Sequence, residues 1–187
     1  MKNSLIIKFI IINFMFFFQT NLYSYERVYE YEVPDEINII FKNYKKHLFQ
    51  IDKAFKHPNP KGKKYIRDKF KRPTQIKGTY FNHYNNEEIN FKGKARITGD
   101  WLDHISIKEM ISSLSISLDY GNVGGVTRFR LLLPKTRNME NEILWSILME
   151  EIGFAVPYRK FIKVNLMGVK KIFIFEERAE KEFLESW

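Results

Sequence analysis

The residues of this chain best suited to chemistry fall in short charged clusters. In Arg96-Ile97-Thr98-Gly99-Asp100-Trp101-Leu102-Asp103-His104, a glycine permits a tight exit from an alternating segment and leaves Asp100, Asp103 and His104 close together on a loop. Two carboxylates and an imidazole can bind a divalent ion or orient a phosphate. The same residues equally describe an Asx-turn with a surface histidine. The other histidines, His47, His57 and His83, show no zinc-ligand spacing. A second cluster is cationic: Lys92, Lys94 and Arg96 alternate with Phe91, Gly93, Ala95 and Ile97, placing three cations on one strand face. A third is Pro134-Lys135-Thr136-Arg137-Asn138 before an apolar helix. There Arg137 and the free backbone donors of a helix start can form an anion site, or Asn138 simply caps the helix while Arg137 ties down a loop.

Charge position adds to this. The chain carries a formal net charge of +9, and between Lys42 and Lys77 thirteen Lys or Arg stand against Asp52 and Asp68 alone. Such a block attracts phosphates, anionic lipid or an acidic polymer, or it is a solvated basic face. No nucleic-acid motif or stacked aromatic array accompanies it, so nucleic acid is not an expected partner. The absence of cysteine excludes a disulfide framework, a thiolate nucleophile and a cysteine-based metal site.

The elements that must position these groups follow from periodicity. Residues 1–24 read as a secretory signal peptide: Lys2 and Lys8 frame a basic start, Leu5 to Phe18 is almost wholly apolar, and Ser24 offers a small residue before a cut. The expected location is therefore periplasmic, cell envelope or secreted. The membrane is contacted only through this segment, should it stay uncleaved as an anchor. Residues 25–77 form an amino-terminal helical and basic segment. Its helix is expected to start at Pro34-Asp35-Glu36 and to carry Ile37, Ile40, Phe41, Tyr44 and Leu48 on one face. The breakers His57 to Gly62 read as a loop, and Tyr65 to Phe70 as a helical turn stopped by Pro73.

From Gly78 the period becomes two. Residues 91–97, 113–118 and 128–133 are expected as half-buried antiparallel strands, with a hairpin-type connection at Tyr120 to Gly125. A helix capped by Asn138 and stopped by Gly153 and Pro157 follows, with Ile143, Leu144, Ile147, Leu148 and Ile152 as its core face. Two strands, Tyr158 to Leu166 and Ile172 to Phe175, flank a turn at Met167-Gly168-Val169-Lys170. A last helix begins at Ala179, and its Phe183, Leu184 and Trp187 form an exposed apolar patch unless something covers them.

Pro134, Arg137, Asn138, Glu142 and Gly153, then Glu176, Glu177 and Lys181-Glu182-Phe183-Leu184-Glu185, resemble the spore-coat protein H (CotH) kinase-like family. The Arg96 to His104 stretch resembles a motif of its secreted, marine-type branch. The resemblance covers roughly residues 75–187, and residues 78–187 are expected to be the small-lobe region. It implies an α+β fold, an antiparallel sheet with a packed helix, like the small lobe of an atypical protein kinase. It implies Glu142 as the carboxylate that pairs with a phosphate-contacting cation, Lys94 or Arg96 as that cation, and Glu176-Glu177 as the lobe junction near adenine or ribose. ATP and magnesium are the implied cofactors, and a protein hydroxyl in the envelope or outside the cell the implied acceptor. Met167-Gly168 and Lys171-Ile172 depart from the family's Asn-Gly and following glycine. No distal aspartates follow Glu185, so this chain alone is expected to be the inactive amino-terminal portion of such a kinase. The alternative is a non-catalytic envelope module that uses residues 42–77 to hold an anionic polymer or a protein partner.

Overall fold

The computed structural model describes residues 33–57, 64–180 and 183. The signal segment and most of the last helix lie outside these residues, as does most of the breaker-rich loop. Among the described residues, nine strands and two short α-helices follow the order β1 (Glu36–Phe41), α1 (Tyr44–Lys56), β2 (Thr74–Asn82), β3 (Glu87–Ile97), β4 (Ile105–Ser106), β5 (Ile111–Ser112), β6 (Leu114–Tyr120), β7 (Arg128–Leu132), α2 (Asn141–Glu151), β8 (Arg159–Leu166) and β9 (Val169–Glu177). Seven of the strands close into a barrel of order β1-β2-β3-β6-β7-β9-β8, while β4 and β5 form a separate small ribbon. All neighbours in the barrel are antiparallel except β1 and β8, whose parallel pairing from Glu36↔Lys163 to Ile39↔Leu166 closes it.

This architecture corrects the expected kinase small lobe with a packed helix. The first cause is β1. Ile37, Ile39 and Phe41 are buried while Ile40 is 45% exposed, so the apolar residues of this stretch follow a period of two. Isoleucine twice over suits a pleated surface, and the strand is fixed on both edges by β2 and β8. The helix therefore begins only at Tyr44, where the Asn43 side chain accepts from the Lys46 amide at 2.9 Å. The second cause is β2, whose Ile76 and Tyr80 alternate with exposed Gln75 and Lys77 and which pairs with β3 over nine residues. Strands from both sides of residue 77 thus share one barrel.

Phe91, Phe129, Phe173, Phe175, Leu114, Ile116 and Leu131 fill the interior, all at 0% exposure. The Phe129 and Phe175 rings stack at 4.7 Å between centroids. Each such side chain contributes about 1.5–3 kcal/mol on burial, which is how a chain with no disulfide holds together. The strands expected at 91–97, 113–118 and 128–133 correspond to β3, to β6 from Leu114 and to β7 up to Leu132, although Ser113 and Ser115 are buried beside their apolar neighbours. The turn at Met167-Gly168 has positive φ at both residues, 52° and 93°, as a two-residue hairpin of primed type requires.

α1 packs Ile51 and Ala54 on Ile66, Ile97 and Ile105 in a second, smaller cluster. α2 is different. Its only buried residue is Ser146, while Leu144, Trp145, Ile147, Leu148 and Ile152 are between 50% and 67% exposed. The expected core face of this helix therefore meets no core: closure of the barrel has already paired every strand edge and filled the interior. Asn138 does not cap α2 either. It adopts a left-handed conformation at the end of a 3-10 turn over Pro134–Arg137, three residues before the helix begins. Phe183, expected to be exposed unless something covers it, is covered, at 4% exposure. No helix among the described residues is long and apolar enough to cross a membrane.

Candidate functional site

The register of four adjacent strands places Ile40, Lys77, Lys92 and Tyr120 side by side. Ile40 pairs with Lys77, Lys77 with Lys92, and Lys92 with Tyr120, making one rung across β1, β2, β3 and β6. All four side chains stand on the outside of the barrel, with Tyr120 64% exposed. Together with Lys42, Gln75, Gly93 and Asp119 they line a cavity of about 670 Å³. The Lys92 ammonium lies 5.8 Å from the centre of the Tyr120 ring.

A bulge between Lys92 and Gly93 shapes this groove, and it depends on the glycine. A Cβ at Gly93 would run into the backbone of Ser117 and Leu118. Lys77 and Lys92 are directly opposed like charges, an arrangement that costs stability in an isolated sheet. Asp119, which also lines the groove, sits 4.0 Å from Lys94. A surface of this kind is suited to an anion that brings its own compensating charge and an apolar or planar portion to lie along Tyr120 and Ile40.

A second polar cluster lies where β7, β8 and β9 meet α2. Glu176 is 3% exposed and accepts from Arg130 Nη1 at 2.9 Å and from Arg159 Nε at 2.8 Å. Arg159 also donates to Ser146 Oγ at 2.5 Å and lies 3.5 Å from Glu142. One guanidinium thus bridges the barrel wall and the helix, and it is the main polar tie holding α2 in place. Each oxygen of this buried carboxylate thus accepts from a different guanidinium, Oε1 from Arg130 and Oε2 from Arg159.

The sequence-predicted site residues are distributed as follows. Glu142 faces Arg159 and not Lys94 or Arg96, which lie on the far strand β3. Lys94 and Arg96 are exposed on the outer barrel face, on the same side of β3 as Lys92. Arg137 is half-buried, with its Nε lacking a hydrogen-bond partner. Glu177 is 7% exposed and accepts from the Tyr158 amide at 3.4 Å.

Asp100 pairs with the buried Lys71 at 2.8 Å, which holds its carboxyl below the usual range. Asp103 is exposed. His104 is buried, with its ring where a Gly99 side chain would stand, and burial pushes its pKa down. Gly99 has the predicted tight exit, at φ +86°. Among the described residues no group of three or more histidines, aspartates or glutamates could hold a metal ion. Asp100 is committed to Lys71 and His104 is turned inward, so the three side chains expected to share a divalent ion or a phosphate do not converge on one point.

The groove residues Lys77 and Tyr120 and the bridging Arg159 escaped sequence reasoning. Alternation marks which face a cation occupies, but only strand register reveals that Lys77 opposes Lys92. That the basic window from Lys42 to Lys77 would place both its ends at one groove was likewise invisible until β1 and β2 paired. The chain matches no protein-family model and no curated protein.

Proposed function

We propose that this chain is an exported, non-catalytic envelope module that binds a phosphate-bearing anionic polymer in the groove formed by Lys42, Lys77, Lys92 and Tyr120. The observation that carries this reading is the rung Ile40, Lys77, Lys92 and Tyr120, which holds two opposed ammonium groups between an aliphatic and an aromatic side chain. Lys94 and Arg96 on the same face of β3 extend the positive surface. A repeating polyanion can follow such a strip, with counterion release adding to affinity.

The test is binding of long-chain polyphosphate to the full chain across a salt series, beside the double variant Lys77→Ala/Lys92→Ala. Loss of those two contacts is expected to weaken binding by at least about tenfold at low salt and to flatten the salt dependence. Equal binding by both proteins sinks the proposal.

A second reading keeps the resemblance to the CotH kinase-like family. It is supported by the junction of Glu142 and Glu176, both from the segments that carry the resemblance, through Arg159. In that reading the anion is ATP with magnesium, and a longer polypeptide transfers the phosphoryl group. Tight binding of magnesium-ATP with no affinity for the polymer would select it over the first.

A further inference from the structure

Two surfaces of the molecule are complementary and do not meet. α2 presents Leu144, Trp145, Ile147 and Leu148 to solvent, each at least 50% exposed. From Asn138 to Pro157 the chain contains Glu140, Glu142, Glu150 and Glu151 and no basic residue. Glu150 and Glu151 stand at the carboxyl end of α2, where the helix dipole is already negative and no cation lies in the last turn. α1 is the opposite. Phe49 is 60% exposed, the Lys53 ammonium lies 5.3 Å from its ring centre, and Lys45, Lys46 and Lys56 are exposed around it.

We propose that α1 of one copy docks antiparallel on α2 of a second copy of this chain. In that orientation Lys45 and Lys46 meet Glu150 and Glu151, while Lys53 and Lys56 approach Glu140; Glu142 stays on the barrel side with Arg159. The spans agree: Lys45 to Lys56 and Glu140 to Glu151 each cover about 16 Å of helix axis. Phe49 then falls over Ile147 and Leu148, giving an apolar centre with a charged rim, the usual anatomy of a specific interface. Antiparallel dipoles and the cations brought to the carboxyl end of α2 add to the attraction. Pairing of α2 with itself does not achieve this, because either direction sets glutamate against glutamate. The contact joins two different surfaces, so it makes an isologous twofold pair if α1 and α2 engage reciprocally and is otherwise heterologous, forming a ring or propagating.

The natural absence of cysteine makes the test direct. Full-length chains carrying Phe49→Cys and full-length chains carrying Leu148→Cys, tagged to differ in mass, are mixed and oxidised. A disulfide requires the two Cα atoms to approach within about 7 Å. The expected product is the mixed cross-link, in excess of both self-cross-links and of a Glu88→Cys control. Adding Lys45→Glu/Lys46→Glu should reduce it by at least about fivefold, and Glu150→Lys/Glu151→Lys on the other partner should restore it. That restoration also shows that the reversed chains fold. No mixed cross-link above control overturns the proposal. So does predominance of the Leu148→Cys self-cross-link, indifference to charge reversal, or failure of the swapped pair to recover.

Discussion

Lowering the pH should destabilise this protein through His47. The side chain is 3% exposed on α1, its ring stacks on Phe41 at 4.2 Å between centroids, and its Nδ1 has no hydrogen-bond partner. Burial pushes its pKa from 6.5 down to about 4. The neutral ring is the form that folds, so between these values the unfolded chain takes up a proton that the folded chain refuses. Stability is unaffected above pH 6.5, falls as the pH drops from 6.5 to 4, and levels off below.

A full separation of about 2.5 pH units corresponds to about 3 kcal/mol, of which about 2 kcal/mol is lost between pH 7 and pH 5. His104, whose pKa burial also lowers, acts in the same direction. Asp35, Asp100 and Glu109 are held below their usual range, so their stabilisation is present at neutral pH and is lost only as the pH falls through and below the ordinary carboxylate values of 3.8 and 4.5. The assay is urea unfolding by circular dichroism at pH 7 and pH 5, on the natural chain and on His47→Leu. The variant cannot ionise at this position, and its loss between the two pH values should be smaller by about 2 kcal/mol. Parallel losses in the two proteins would refute the argument.

Two other substitutions probe separate features. Arg159→Ala leaves Glu176 with one of its two cations and frees Ser146 and Glu142. It should cost about 3–5 kcal/mol of stability and raise amide exchange in α2 more than in β7. Gly99→Ala forces a side chain into the place of the His104 ring at φ +86° and should cost more than about 1 kcal/mol, read as a lowered unfolding midpoint in urea.

Local pattern revealed most of the strands from residue 91 onward, because Lys92, Lys94 and Arg96 point out while Phe91, Ala95 and Ile97 are 0–1% exposed. It failed at Ile37, Ile40 and Phe41, whose spacing is compatible with a helix although Ile37, Ile39 and Phe41 make an equally good strand. What decides between them is a partner far along the chain, and a single sequence does not display pairing partners. α2 failed in the opposite way. Its helix is correct, but its apolar residues were assigned to a core that the closed barrel has no room to offer. The candidate site followed the same division: the basic window was evident from composition, whereas the rung from Ile40 to Tyr120 exists only through the registers of three strand pairs.

The parallel seam between β1 and β8 imposes a timetable on folding. Asn38 and Asn165, whose side chains hydrogen-bond across that seam at 3.1 Å, are 127 residues apart. As the chain emerges from a ribosome or a translocation pore, β1 and β2 can zip within the first stretch. The free edge of β1, with Ile37 and Ile39 behind it, must then wait for nearly the whole polypeptide. Topologies dominated by such distant pairings gather slowly and leave an open strand edge during the interval. An arrested chain ending before residue 159 should therefore be recognised by chaperones and proteases as unfinished, whereas one extended past Glu177 should abruptly acquire resistance to digestion.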